Sequence, residues 1–587
     1  MSKWDLSIFY PNDEAWETDL AKLPTFIEKL GSYQGKLGSF EDFKSYYSDQ
    51  EQTLKLFYRL YAYIHLSSDL NLKDADKQTK NQKVLLQMSR LNQLTSYVSP
   101  ELISIGQEKI MSFVEQDEYL KQYRFPLEKL FFQQKHVLDG VQEKLLANFG
   151  PLRNIPSALY QSLAIIDAKD EIVKLSDGKE MTITGSNFRA ILPTLKNPED
   201  RRLVFEAAFK RYADKKTAFA NTYNLVLQQL AANYKSRNYP SALDAALFGN
   251  NIPTAVFHNL KDVAYENTEP IKRYLKLRKK HLNLEKYRTY DRFLKLATDD
   301  TNYSYEEGKK LFLESIKGMD EEFVKAQHEA LEDGFVDAYP QDGKRTGAYS
   351  SGSHGFHPYI LLNHDNTLDG VFTIAHEAGH SAHTIFSQKN QPMAISNYTI
   401  FVAEIASTFN EHILLDHLLA RAETKEQKIV LLESAIDGIM ATFYRQTLFA
   451  TYEFEANQLV EKGIPVTEKA LSEIMINLYK HFYDIDIVEE KYKQYVWAYI
   501  PHLFYTPFYV YQYSTSYSAS LKIYDDIKQN KPNATDKYLG LLKSGGSDYP
   551  VNQAAMAGAD LTKKDTFMAV VKRFNALIDQ LEDVLEN

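Results

Sequence analysis

Residues 371–383 read VFTIAHEAGHSAH. Within them His376, Glu377 and His380 form an HExxH pattern on a stretch that reads as a helix, the arrangement that binds zinc through two histidines and uses the intervening glutamate as a base. Residues four apart on a helix project from one face with Cβ atoms roughly 6 Å apart, so His376 and His380 can converge on one ion at about 2.1 Å per bond. Glu377 lies about 100° round from His376 and flanks the metal without ligating it, as a base acting on metal-bound water must. A pair of core histidines beside a surface glutamate is the alternative, and a third ligand decides between the two.

His383 is the nearer choice, but seven residues of unbroken helix place it about 10 Å along the axis from His376. No glycine separates His380 from His383 to break that helix. Glu404, in FVAEIASTFNE, is an acid on an otherwise apolar stretch, costly to bury unless paired or metal-bound. Two histidines and one glutamate leave a coordination position open for water, as in a catalytic zinc site. Thr408, one turn after Glu404, is expected to orient a ligand from behind, and Glu411 and His412 to serve packing and solvation.

Before the motif, residues 343–363 (GKRTGAYSSGSHGFHPYILLN) are rich in Gly and Ser and end in a short apolar strand, Tyr359 to Leu362. Pro358 at its head suits an edge strand, because proline removes a donor the ladder does not need. Such an edge can pair with a substrate backbone; a structural hairpin strand is the alternative. His354 and His357 read either as substrate contacts or as solvated loop residues. Asp369 is the expected N-cap of the motif helix, and Thr399 to Leu419 the helix that follows.

Further out, apolar residues recur at three and four over residues 13–29, 41–66, 74–97 and 101–113, predicting helices. EIVKLSDGKEMTIT, residues 171–184, alternates on either side of Asp177-Gly178 and predicts a β-hairpin. Long amphipathic helices resume over residues 198–236 and 255–284. The chain has 587 residues, 44% hydrophobic and 25% charged, with a formal charge of −10, the balance of a globular protein. Its charges are interspersed, which points away from nucleic acid and from an anionic membrane as partners. Cysteine is absent, which excludes disulfides, thiol nucleophiles and cysteine-ligated metal. The opening MSKWDLSIFYPNDEAW carries acids where a signal peptide has a basic segment, so a cytoplasmic location is expected. Residues 494–521 hold no charged residue but include Pro501, Pro507, His502 and seven tyrosines, too polar to span a bilayer and read as lining an interior surface.

AHEAGHSAH at 375–383, the 24-residue step from His380 to Glu404, GAYSSG followed by HPYILLN, and SGGSDYP at 544–550 together resemble oligoendopeptidase F, of the thimet-oligopeptidase group of zinc metallopeptidases. The opening WDLSIFYPNDEAW is similar too, so the resemblance spans nearly the whole chain. It implies a mainly α, multi-helix fold with two lobes enclosing a deep substrate cleft, and small β elements near the site and in the N-terminal half. It divides the chain into an N-terminal helical region, 1–110, a helical segment with the hairpin, 111–190, and a metallopeptidase domain, 191–587. It also implies one Zn²⁺ per chain held by His376, His380 and Glu404, and short peptides as substrates, with Glu377 taking the proton of zinc-bound water. IPHLFYTPFYVYQY resembles the family's His-and-Tyr substrate loop, with His502, Tyr509 and Tyr513 as the matches that would stabilise the oxyanion. A zinc carboxypeptidase or dipeptidyl carboxypeptidase, and a non-catalytic zinc-bearing peptide-binding scaffold, are the alternatives; oligomeric state is left open.

Overall fold

Phe43, Tyr46, Tyr47, Phe57, Leu60 and Ile64 recur at helical spacing along one face of a 30-residue helix, α1 (Phe40–Asp69), and all are buried. Ser39 caps it by accepting from the Asp42 N–H, with Glu41 and Asp42 complementing the positive end. The computed structural model to which α1 belongs describes residues 3–352 and 354–586. Helices make up most of it, as expected of a mainly α chain. Strands are confined to β1 (Glu171–Lys174), β2 (Glu180–Ile183), β3 (Val336–Asp337), β4 (Tyr349–Ser351) and β5 (Tyr359–Leu361) among the described residues. No helix among these residues is long and apolar enough to cross a membrane.

The chain divides into two compact units. The first comprises Met1–Lys135, Thr301–His417 and Ile523–Ala559. Its core gathers Trp16, Leu23, Ile27, Leu102 and Val114 around α1, and Tyr359 of β5 joins the same cluster. The N-terminal segment is fastened to this strand: Trp4 Nε1 donates to the Ile360 carbonyl at 2.8 Å, and the Tyr359 hydroxyl to the Asp5 carbonyl at 2.7 Å.

In the three-stranded sheet the order is β3-β5-β4, with β5 parallel to β3 and antiparallel to β4. The strand expected at the edge is therefore central. Pro358 lies just outside it and removes no ladder hydrogen bond, so it carries no information about the edge. The edge strand is β4, from the GAYSSG segment. Ile360 donates to Phe335 of the β3 side, so residues 359 and 361 face β4 and the backbone of Ser350 points away from the sheet.

Two helices of this unit carry the HExxH motif and the following acid: α2 (Leu368–Asn390) and α3 (Ile400–Arg421). The cap of α2 is Thr367, whose hydroxyl accepts from the Gly370 N–H; Asp369, the expected cap, sits in the first turn, where its charge still favours the helix dipole. Gly379 brings the helices together: a Cβ there would fall 2.6 Å from the Ala406 carbonyl oxygen and 2.7 Å from the Ser407 Cα. Asn410, fully buried on α3, ties the crossing by donating to the Ala375 carbonyl at 2.9 Å.

The second unit comprises His136–Asp300, Leu418–Lys522 and Asp560–Asn587. It holds the hairpin β1–β2, whose turn places Gly178 at φ +87°, a conformation glycine adopts without penalty. It also holds α4 (Arg445–Glu461). Two of its buried cations are matched by acids: Arg201 pairs with Asp291 at 2.9 Å, and Arg278 with Glu433. Removing one partner of such a pair costs about 3–5 kcal/mol, so the pairs fix the helices they join.

Candidate metal centre

His376 and His380 lie one turn apart on α2, and their rings meet nearly perpendicular, centroids 4.8 Å apart. Glu404 reaches both from α3, its Oε2 3.5 Å from His376 Nε2 and 3.8 Å from His380 Nε2. Among the described residues these three form the one His/Asp/Glu group whose ligand atoms all lie within 4.8 Å of one another. Tetrahedral zinc with bonds of about 2.1 Å holds its ligand atoms roughly 3.4 Å apart, so the donor set fits the ion after side-chain adjustments of a few tenths of an ångström.

The surroundings fix these rings. Glu411 accepts from His376 Nδ1 at 2.5 Å, which sets the tautomer and leaves Nε2 for a ligand. Glu411 was expected to serve solvation, but it lies seven residues from Glu404, two turns along the same face of α3. That spacing was the available signal. Ser407 Oγ donates to Glu404 Oε2 at 3.1 Å, whereas the Thr408 hydroxyl is turned to the Glu404 backbone carbonyl at 2.6 Å. The residue behind the carboxylate is thus Ser407 and not Thr408, which is spent on its own helix. A hydrogen bond to the Ala403 backbone holds His380.

Electrostatics favour a positive charge here. Burial disfavours the His376 cation, yet the hydrogen bond and charge of Glu411, with Glu377 and Glu404 nearby, carry its pKa up to about 9. Burial and the neighbouring His376 hold His380 well below the ordinary histidine value. Three carboxylates thus favour one positive charge at two rings, a demand that a divalent cation meets. We predict that Glu411→Ala lowers zinc affinity by about 10- to 100-fold with the fold intact, read by competition with a chromophoric chelator. Unchanged affinity would show that Glu411 does not position His376.

Glu377 is buried, 6% exposed, beside the two histidines. Its Oε2 has no hydrogen-bond partner among the described residues, while the Ser350 N–H of β4 reaches its carboxylate. Burial pushes this carboxyl up to about 7, against the pull of His376. Both residues, with Tyr349, Ser351, Glu404 and Tyr398, line a cavity of about 540 Å³. Ser350 Oγ and Ser381 Oγ, 2.8 Å apart, hold β4 against α2.

His383 is absent from the ligand group, as the helical rise requires. It is 1% exposed, stacked on Tyr398 with centroids 3.6 Å apart, and neither ring nitrogen has a partner among the described residues. Burial pushes its pKa down to about 3. Below pH 6.5 the unfolded chain therefore takes up a proton that the folded chain refuses, and stability falls with pH by at most ~1.4 kcal/mol per unit, down to about pH 3. We expect His383→Leu to flatten this acid loss in urea titrations at pH 7 to 4; equal slopes would contradict the assignment. His357 is pinned as well, its ring between the Pro358 carbonyl at 2.7 Å and the Glu329 carbonyl at 3.1 Å, and stacked on Phe335. It is a structural residue, not a solvated one. His354 is half-buried and lines a neighbouring cavity of the same unit.

His502, Tyr509 and Tyr513 belong to the second unit and form a cluster there. His502 and Tyr509 stack with centroids 6.0 Å apart, Tyr513 stands edge-on to both, and the Tyr513 hydroxyl lies 3.5 Å from His502 Nε2. Burial holds the His502 pKa below its ordinary value. Phe508, just before Tyr509, has φ +55°, and its N–H donates to the buried Glu453 of α4 at 2.7 Å. That bond anchors the turn presenting Tyr509.

Comparison with known proteins gives one answer along the chain. Residues 191–572 match the family described as Peptidase family M3, and residues 101–169 that described as Oligopeptidase F. Oligopeptidase PepF of Bacillus subtilis is 34% identical over 99% of this chain and 87% of its own length. An oligoendopeptidase F homolog of Borreliella burgdorferi is 33% identical over 100% of this chain and 98% of its own. The crystal structure of oligoendopeptidase-F from Enterococcus faecium has a TM-score of 0.75 at 27% identity, covering 98% of this chain and 99% of that one.

Proposed function

The chain belongs to peptidase family M3 and is a metallopeptidase, and on that premise we propose that it is a zinc-dependent endopeptidase cutting internal bonds of short oligopeptides. The observation that carries the proposal is the convergence of His376 Nε2, His380 Nε2 and Glu404 Oε2 beside a buried Glu377 with a free carboxylate oxygen.

His376, His380 and Glu404 would hold one zinc, with Glu411 fixing the His376 ring and Ser407 the Glu404 carboxylate. Zinc bound there would supply a Lewis acid for the scissile carbonyl and for the attacking water. Glu377 takes the proton of that water on its free oxygen and hands it to the departing amine. Its burial raises its basicity towards neutrality, where a base is most effective. His502 and Tyr509, with Tyr513 beside them, are assigned as donors to the developing oxyanion. The outer edge of β4 offers backbone groups for pairing with an extended peptide, an attraction largely indifferent to side chains.

The test is digestion of a mixed peptide library read by mass spectrometry, with chelator and with zinc restored. Internal cuts confined to short peptides, lost with chelator and recovered with zinc, are expected. Cuts only one or two residues from the C-terminus would make it an exopeptidase, and cuts indifferent to chelator would remove zinc from the account.

A further inference from the structure

The second unit encloses a cavity of about 770 Å³, large enough for several residues of a peptide. Arg189, Arg211, Arg292, Arg445 and Lys493 line it, and Asp170 is the acid among the lining residues. Asp170 is already engaged, 3.2 Å from Arg211. Elsewhere in this unit buried cations have carboxylate partners, as in Arg201–Asp291 and Arg278–Glu433. Here they do not.

Lys493 is 3% exposed, with Nζ 5.0 Å from the ring centre of Tyr479 and 5.3 Å from that of Phe209. Among the described residues it has no ion pair. Glu490, the acid that attracts it, is occupied by the backbone N–H and hydroxyl of Thr289. Arg292 likewise has no ion pair, and Arg445 is hydrogen-bonded to the neutral Tyr483. Burial, with Arg292 and Arg445 close by, pushes the Lys493 ammonium down to about 7, and burial with Arg445 pushes Arg292 down to about 10. The residue before Lys493, Tyr492, is held at φ +73°, a conformation that surrounding structure must impose on a non-glycine residue. Clustered, partly desolvated cations that outnumber the acids beside them are an unfavourable arrangement that an anion relieves.

We propose that Arg292, Arg445 and Lys493 bind a carboxylate of an oligopeptide ligand in this cavity. The inference rests on the peptidase function proposed above. The rest of the lining supports a peptide over a small free anion. Phe205, Phe209, Tyr212 and Tyr499 give aromatic walls for side chains, and the wall continues into Pro501, His502 and Tyr505, the segment assigned to substrate contact. Two guanidinium groups suit a planar carboxylate, and a lysine adds a point charge.

The test uses the zinc-loaded full chain and one internally cleaved peptide in three forms: free acid, C-terminal amide, and amide with one added glutamate. For the parent, the amide should show KM raised by about tenfold or more with kcat little changed, the loss expected for one charge-assisted contact. Lys493→Met and Arg445→Gln should raise KM for the free acid by a similar factor and leave the amide unaltered. Titration of a cleaved-product peptide acid by calorimetry should show the same loss of affinity without any turnover. Rescue of the amide by the glutamate identifies a side-chain carboxylate as the ligand; no rescue identifies the terminus; both support the proposal. Variants that shift acid and amide equally, or neither, while folded by circular dichroism and active, would overturn it. So would competition by inorganic phosphate with no preference among the three peptides. Failure of the parent to cleave any of them would instead count against the peptidase function, and product titration would still decide the cavity.

Discussion

Glu377→Gln is expected to leave zinc bound at one per chain and to lower kcat by about 10²- to 10⁴-fold, with KM changed only a few-fold. Glutamine keeps the shape of the side chain and can still accept from the Ser350 N–H, so neither the helix nor β4 is disturbed. It cannot take a proton from water. Because burial opposes the Glu377 charge in the metal-free protein, the variant should be no less heat-stable than the parent. Parental turnover by a zinc-loaded Glu377→Gln chain would remove the glutamate from its assigned role.

Gly379→Ala should have the second largest effect, through structure. Gly379 lies between the two histidines of α2, and its face is closed by backbone atoms of α3, which cannot swing aside as a side-chain tip can. A methyl group there must push α3 outward, and Glu404 moves with it. We expect destabilisation of about 1–3 kcal/mol or more from overpacking. Zinc affinity should fall by at least the roughly 10- to 100-fold seen when a supporting residue is lost. The paired readouts are the urea midpoint and chelator competition; normal values of both would show that the close crossing does not place Glu404.

Much of this was legible in the sequence because the signals are local. HExxH needs only helical spacing, and the hairpin needs only alternation around Asp177-Gly178. The exclusion of His383 needs only the rise per residue. Glu404 was legible because an acid on an apolar face demands an explanation. The parts that were misjudged depend on which element lies next to which. Pro358 suggested an edge strand, but the edge is set by pairing of β3 and β4 with β5, which a three-residue strand does not announce. Glu411 looked like a solvated acid because its partner, His376, is 35 residues away in sequence. Thr408 and Ser407 differ by one position on a helix, enough to send one hydroxyl to the Glu404 carboxylate and the other to its backbone carbonyl. The cations lining the cavity around Lys493 come from five separate stretches of chain, and no window of sequence contains them.

The central claim is that α2 and α3 present two imidazoles and one carboxylate to a single zinc. X-ray absorption at the zinc edge of the reconstituted full chain, beside metal analysis of Glu404→Ala, tests it most directly. The account predicts one zinc per chain, two imidazole nitrogens with the remaining neighbours oxygen, and loss of tight binding in the variant. Three imidazoles around the metal, or full zinc retention by Glu404→Ala, would contradict it.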